Sequence, residues 1–411
     1  MRRRGAARVN FSLAEFTIAL SHALDFMEID LLGGVTYHSR RVAYIALRLG
    51  ELRGLGTEEL SDLVSLAILH DNGIGFAFQE RPSAVPDEGR EVVESAALHC
   101  SAGEENLRGF PFLSRPSGVI LNHHENWDGS GFFHVQGEGI PLMARLIRLA
   151  DLVDQHCRLD SIDYAGKFEL LAWIEKQKGI TLDAELVDAF AEVSGSPAFW
   201  LDLKNDFIRA ALRQRIPRFE REMDFRAVRG TTAVFSRIID SKSRFTRLHS
   251  QELSEKAGIM ASRYGYDSET TAKLRIAADL HDVGKLAVSN AILDKNGPLD
   301  GAEVDVIQRH TYYTRVSLQE IHGFEEITEW AANHHEKLDG SGYPFRFPRE
   351  RLDFNSRLLG CLDIYQALTE LRPYREALSH EKTLGIMRGM AEAGKIEASI
   401  VEDIGEAFGH Q

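Results

Sequence analysis

Apolar residues recur at helical spacing along most of the chain, in segments punctuated by glycines and charged turns. Between residues 10 and 32, Phe11, Leu13, Phe16, Ile18, Leu20, Leu24 and Met27 line one face of an amphipathic helix, which Gly33-Gly34 ends. A second helix opens at Tyr37-His38 and runs to about Arg53, where Gly54 and Gly56 stop it. Thr57 is placed to cap the next helix, with Glu58 and Glu59 favourable in its first turn. The buried face of that helix, Leu60, Leu63, Val64, Ala67 and Ile68, delivers His70-Asp71 at its end. The pattern returns later, where Asp267 or Ser268 caps a helix running through Leu274, Ala277 and Leu280 to His281-Asp282. Helical periodicity also fills residues 160 to 220 and His380 to Phe408. The join, about residues 212 to 230, is charged, carries Pro217 at a helix boundary and lacks a Pro/Gly/Ser-rich tether. A helical or tightly packed connection is predicted there.

Chemistry enters with the polar residues set among these apolar segments. His281-Asp282-Val283-Gly284-Lys285 is followed by His310, by His334-His335-Glu336-Lys337-Leu338-Asp339-Gly340-Ser341-Gly342-Tyr343-Pro344, and by Asp363. Any one of these histidines alone reads as an ordinary core or surface residue. Together they read as a metal site, because imidazole and carboxylate suit Fe, Mn, Zn or Ni. One carboxylate can bridge two ions, and two ions can activate water and clamp a phosphate in line. Asp363 lies inside the apolar run Leu-Leu-Gly-Cys-Leu-Asp-Ile-Tyr-Gln-Ala-Leu, where an acidic side chain is costly unless it is paired or ligated.

The set occurs twice. His38 and His249 are 211 positions apart, as are His70-Asp71 and His281-Asp282, His99 and His310, His123-His124 and His334-His335, and Asp128 and Asp339. Asp151 and Asp363 are 212 apart, so one net insertion precedes the last Asp. A period of this size means two domains rather than a solenoid. The division expected is 1–215 and 216–411, in keeping with 411 residues being too long for one ordinary domain.

Composition narrows the class. With 44% apolar and 27% charged residues the chain is an ordinary globular protein. Its net charge of −14 argues against duplex nucleic acid as a partner. Cys100, Cys157 and Cys361 follow no metal or disulfide spacing and fit a reducing cytoplasm. Met1-Arg2-Arg3-Arg4 looks like a signal-peptide start, but Glu15, His22, Asp25, Glu28 and Asp30 interrupt any apolar core after it. No run of about 18 apolar residues exists, so no membrane span is expected.

His-Asp-x-Gly-Lys followed by His-His-Glu-x-x-Asp-Gly-x-Gly-Tyr-Pro resembles the HD-GYP subgroup of the HD-domain phosphohydrolases, closely over about the last 170 residues and in degraded form over the first 200. The resemblance implies an all-α protein of two tandem HD-type helical domains and a metal-dependent phosphodiesterase acting on cyclic di-GMP or cyclic GMP-AMP. It implies two ions held by His249, His281, Asp282, His310, His334, His335 and Asp363, with Asp282 as the bridge. Lys285 would hold a phosphate oxygen; four residues after His281, it shares a face with the His-Asp pair if the helix persists that far. Tyr343, Arg372 and, more weakly, Arg375 would contact the nucleotide. Where some members carry a Glu that helps hold a third ion, this chain has Phe245.

The first copy keeps every candidate ligand, His38, His70, Asp71, His99, His123, His124 and Asp151. It departs from the motif at Ile74 in place of Lys and at Gly131-Phe132-Phe133 in place of Gly-Tyr-Pro, and it lacks the Arg-Pro-Tyr-Arg run. It reads as a metal-binding copy that is not a phosphodiesterase, with His packing and no metal as the alternative. It is left to regulate or scaffold the second copy, or to form a homodimer face. Diguanylate-cyclase domains are partners in the family. Competing readings are a cyclic-dinucleotide receptor without catalysis, and a generic HD phosphohydrolase acting on another phosphoester.

Overall fold

The computed structural model describes residues 8–25, 37–76, 90–217, 219–243, 248–371 and 376–409. These fall into two compact units, one from residues 12 to 220 and the other from Arg221 onward together with Arg8–Phe11. The break at Glu220/Arg221 lies five residues beyond the expected one at 215/216, and the first strand groups with the second unit.

The fold is helical apart from one two-stranded sheet. Strand β1 (Arg8–Phe11) pairs antiparallel with β2 (Arg221–Asp224), in the register Arg8↔Asp224 to Phe11↔Arg221. The helix expected from residue 10 starts later, as α1 (Leu13–Asp25), and the part expected beyond Asp25 lies outside the described residues. Arg8-Val9-Asn10-Phe11 alternates polar and apolar, and the strand buries Val9 and Phe11. The Phe11 ring stacks on Phe324, centroids 6.4 Å apart. Gly323 is held at φ +83°, and a Cβ there would stand 2.7 Å from Val9 Cγ2.

In the N-terminal unit, α2 (His38–Leu52) is the central helix; its Val42 to Leu47 are wholly buried. It packs against α1, α3 (Thr57–Ile68), α5 (Leu142–His156), α7 (Ala184–Ser194) and α9 (Ile208–Arg215). The long α4 (Arg90–Asn106) lies between α3 and α5 in sequence, with α6 (Tyr164–Gln177) and α8 (Pro197–Asp202) completing the unit. The cap expected at Thr57 is one residue off. Gly56 is the N-cap, and its N–H donates to Glu59 Oε2 at 2.8 Å.

The C-terminal unit begins with α10 (Phe225–Asp240) and α11 (His249–Arg263). Helix α12 (Ser268–Leu280) is capped by Asp267, which accepts the Thr270 N–H at 2.8 Å. It packs against α10, α11, α15 (Glu325–Ala332) and α16 (Phe354–Thr369). After α12 come a 3₁₀ turn at Val283–Ala287, α13 (Asn290–Leu293) and α14 (Gly301–Leu318). Helices α17 (His380–Glu392) and α18 (Ala398–Phe408) close the unit. No described helix is long and apolar enough to cross a membrane.

One close approach recurs in both units and positions the chemistry. A Cβ on Gly284 would lie 2.0 Å from the His310 carbonyl oxygen, and one on Gly73 would lie 2.1 Å from that of His99. Only glycine lets the turn after each His-Asp pair touch the next histidine-bearing helix.

Candidate metal centres

In the C-terminal unit His249 opens α11, His281-Asp282 follows α12, His310 sits mid-α14, His334-His335 follow α15, and Asp363 sits mid-α16. All seven converge. Asp282 divides between two groups of donors. Its Oδ2 faces His281 Nε2 at 3.2 Å and His249 Nε2 at 3.9 Å. Its Oδ1 faces His310 Nε2 at 3.4 Å and His334 Nε2 at 3.8 Å. Asp363 Oδ1 lies 3.3 Å from His249 Nε2 and 3.9 Å from His281 Nε2, and its Oδ2 lies 3.9 Å from His335 Nδ1. Two donor groups result, His249/His281/Asp363 and His310/His334/His335, with Asp282 between them.

The rings are oriented from behind. The Nδ1 atoms of His281, His310 and His334 donate to the carbonyls of Ala278, Ile307 and Ala331 at 2.8, 2.6 and 2.6 Å. That leaves each Nε2 with a lone pair aimed inward. His249 Nδ1 is bonded instead to Glu370 Oε2 at 2.9 Å. His249 Nε2, His281 Nε2 and Asp282 Oδ1 are buried without a hydrogen-bond partner. Buried polar atoms are normally paired, so this donor set fits divalent ions.

Electrostatics agree with a cation-binding set. Burial works against ionisation of Asp282, yet His281 and Lys285 hold its carboxyl well below the usual range. Burial likewise opposes charge on Asp363, and His249 and His335 hold it well below its ordinary value. Burial pushes His310 down to about 4, and pushes His334 and His335 well below the ordinary imidazole value, leaving neutral rings. His249 differs. Burial opposes its charge, but Asp363 and Glu370 outweigh it and raise the ring to about 9.

The other predicted residues are placed unevenly. Helix α12 does not persist to Lys285; the 3₁₀ turn instead returns its ammonium to Asp282 Oδ2 at 2.5 Å. The Tyr343 ring lies against His335, centroids 4.8 Å apart. Arg372, Arg375 and Phe245 lie outside the described residues. Glu336, next in sequence to the His-His pair, accepts the Phe345 N–H at 2.7 Å and the Phe347 N–H at 3.0 Å. It therefore folds the Gly-Tyr-Pro loop back on itself.

The first copy repeats the convergence. Asp71 Oδ2 faces His70 Nε2 at 3.3 Å, and Asp71 Oδ1 faces His99 and His123 Nε2 at 3.4 and 3.7 Å. Asp151 Oδ1 lies 3.2 Å from His38 Nε2 and 3.8 Å from His70 Nε2, and its Oδ2 lies 3.9 Å from His124 Nδ1. His70 Nε2, Asp71 Oδ1 and Asp151 Oδ2 are buried and unpaired. His38 Nδ1 is anchored by Asp154 Oδ2 at 2.7 Å, and Arg41 pairs with the same carboxylate. Burial opposes charge on His70, but Asp71 and Asp151 raise it to about 9.

Three contributors escape a motif reading. Glu370 and Asp154 are the carboxylates behind His249 and His38. Each follows its copy's last ligand Asp on or just past the same helix, but seven residues on in one case and three in the other. The third is Arg148. Its Nη1 donates to His124 Nδ1 at 3.1 Å and its Nη2 to Asn126 Oδ1 at 3.1 Å. Its sequence signal is a cation where the second copy has Gly360.

Known proteins share the two-domain fold. Two family models, each described as HD domain, match residues 35–155 and 233–400. The chain is 29% identical over 403 residues to the 3'3'-cGAMP-specific phosphodiesterase 1 of Vibrio cholerae, covering 96% of this chain and 91% of that protein. It is 29% identical over 429 residues to the 3'3'-cGAMP-specific phosphodiesterase 3 of the same organism, covering 93% and 91%. To the cyclic di-GMP phosphodiesterase response regulator RpfG of Xanthomonas campestris it is 30% identical over 188 residues, 45% of this chain and 49% of that one. The crystal structure of a V. cholerae cyclic GMP-AMP-specific phosphodiesterase (V-cGAP3) matches with TM-score 0.66 and 26% identity, over 99% of both chains.

Proposed function

The chain is a tandem HD-domain protein of the HD-GYP phosphodiesterase family, and from that premise we propose that its C-terminal copy hydrolyses a cyclic dinucleotide while its N-terminal copy regulates or scaffolds. The observation that carries this reading is the split of Asp282 between two donor groups, beside the Lys285 ammonium that pairs with it. The two relatives matched over more than nine tenths of their length are both named for 3'3'-cGAMP, which favours that compound over cyclic di-GMP as substrate.

His249, His281, Asp363 and Asp282 Oδ2 would hold one ion. His310, His334, His335 and Asp282 Oδ1 would hold the other. The donor chemistry suits Fe or Mn first, and admits Zn or Ni. Such a pair supplies water activation and charge stabilisation at phosphorus. The ionised Asp282 and Asp363 offset the charge of two cations in a buried site. Lys285 has three N–H donors and spends one on Asp282, so others reach a non-bridging phosphoryl oxygen. The Tyr343 ring, packed on His335, borders the space a base would occupy, and Arg372 and Arg375 are assigned to the dinucleotide's phosphate or guanine edge.

The first copy presents Ile74 where the second has Lys285, and Phe132 where it has Tyr343. It keeps a cation-binding donor set without the groups assigned to substrate. The test is hydrolysis of 3'3'-cGAMP and cyclic di-GMP by anaerobically prepared, metal-assayed protein. Linear dinucleotide formed from 3'3'-cGAMP is the expected result. Tight binding of either compound without turnover would leave a receptor in place of an enzyme.

A further inference from the structure

The two copies also differ behind the second histidine of each His-His pair. In the C-terminal copy the equivalent of Arg148 on the ligand-bearing helix is Gly360, which has no side chain to reach His335. A Cβ there would stand 2.6 Å from the His334 carbonyl oxygen. In the N-terminal copy the Arg148 guanidinium reaches His124 Nδ1 at 3.1 Å and is steadied by Asn126 Oδ1.

A guanidinium can only donate hydrogen bonds. His124 Nδ1 is therefore the acceptor, and in the neutral ring Nε2 must carry the hydrogen. A neutral imidazole has one lone pair for bonding, and Arg148 takes it. Whichever nitrogen an ion would use, His124 is removed from the donor set.

The two ion positions are affected unequally. One is bounded by His38, His70, Asp151 and Asp71 Oδ2, and includes the orphaned His70 Nε2. It keeps four donors. The other retains His99, His123 and Asp71 Oδ1, with the Cys100 thiol 3.7 Å from His99 Nε2, but it alone lies next to a fixed positive charge. Like charges at this range in a buried site repel strongly.

We propose that the N-terminal copy is a one-ion site held by His38, His70, Asp71 and Asp151, in which the Arg148 guanidinium stands in for the second cation. This rests on the reading of that copy as metal-binding. It also gives a physical reason for its lack of phosphodiesterase chemistry that is independent of the lost Lys and Tyr. A single ion cannot clamp both the attacking and leaving oxygens of an in-line displacement.

The test counts ions in the full chain carrying His281→Ala and Asp282→Ala, loaded with Mn(II) without oxygen and desalted. About one ion per chain is expected, with the six-line spectrum of an isolated Mn(II) by electron paramagnetic resonance. Adding Arg148→Gly should raise the count to about two and give the exchange-coupled spectrum of a Mn pair. Arg148→Met removes the donor while keeping helix propensity, and should behave the same way. In the otherwise native chain the count should rise from about three to about four on either substitution. Two coupled ions with Arg148 in place would overturn the proposal and leave the metal-binding reading standing. One ion before and after both substitutions would also overturn it. No bound ion in any variant would overturn both.

Discussion

Lys285 donates to Asp282 Oδ2 across 2.5 Å, and that same oxygen faces His281 at 3.2 Å. The ammonium thus pairs with the carboxylate shared by both donor groups and is not itself a donor to a cation. Lys285→Met should keep the full metal count, because no donor atom is lost. Turnover of 3'3'-cGAMP should fall by roughly 10²–10³, the usual cost of removing one donor to a charge that develops in the transition state. Full turnover in a metal-replete Lys285→Met protein would remove Lys285 from the catalytic groups.

The bridging positions separate the two copies. Asp282→Ala removes the one carboxylate shared by both donor groups of the C-terminal unit. It should abolish hydrolysis and release the ions there. Asp71→Ala makes the equivalent cut in the N-terminal unit, and should leave hydrolysis measurable. Loss of turnover in Asp71→Ala with the C-terminal ions still counted would mean that the first copy takes part in catalysis.

The raised pKa of His249 makes the metal-free protein pH-sensitive. Burial disfavours its charged form, but Asp363 and Glu370 override that and hold the folded ring at about 9. The unfolded value is about 6.5. The folded state therefore binds the extra proton, and its stabilisation is fully present below pH ~6.5 and lost as pH rises through ~9. In chelator-treated protein the melting temperature of wild type minus that of His249→Gln should shrink across this window. A difference that stays flat or grows from pH 6.5 to 9 would contradict the assignment.

The helices and their histidines were legible because apolar periodicity and the 211-residue repeat are both local signals in the sequence. The glycine rule was legible in part; Gly284 stood in the motif, but its 2.0 Å approach to the His310 carbonyl is a tertiary fact. Long-range polar support was not legible. Nothing local in Arg221-Glu222-Met223-Asp224 announces a strand, since its pairing depends on a segment more than 200 residues earlier. Glu336 is another case: it follows the His-His pair in sequence, yet its carboxylate is spent on two loop N–H groups.

That strand pairing carries its own prediction. Phe11 is 4% exposed and its ring lies on Phe324, both within the C-terminal unit. Phe11→Ala should destabilise that unit by about 3 kcal/mol, as for a buried Phe cut to Ala. A fragment starting at Arg221 should be less stable still, because it leaves the β2 edge and Phe324 uncovered. Chemical denaturation followed by loss of C-terminal metal would show this. An unchanged midpoint in Phe11→Ala would mean that β1 adds nothing to that unit.

The Gly-Tyr-Pro loop should respond to Glu336 in a way that separates substrate contact from metal binding. Both Glu336 oxygens are spent on loop N–H groups, at 2.7 and 3.0 Å. The loop passes so close that a Cβ on Gly342 would stand 2.5 Å from the Glu336 Cα. This fold-back is what brings Tyr343 onto His335. Glu336→Ala leaves two loop N–H groups unpaired, at about 1 kcal/mol or more each, so the loop should open. None of the seven donor side chains is touched, so the metal count should hold. The KM for 3'3'-cGAMP should then rise by about tenfold or more, with kcat less affected. Gly342→Ala should give the same signature through overlap rather than a lost bond. A fall in kcat at constant KM would instead make the loop part of the chemical step, and loss of the ions would make it part of the metal site.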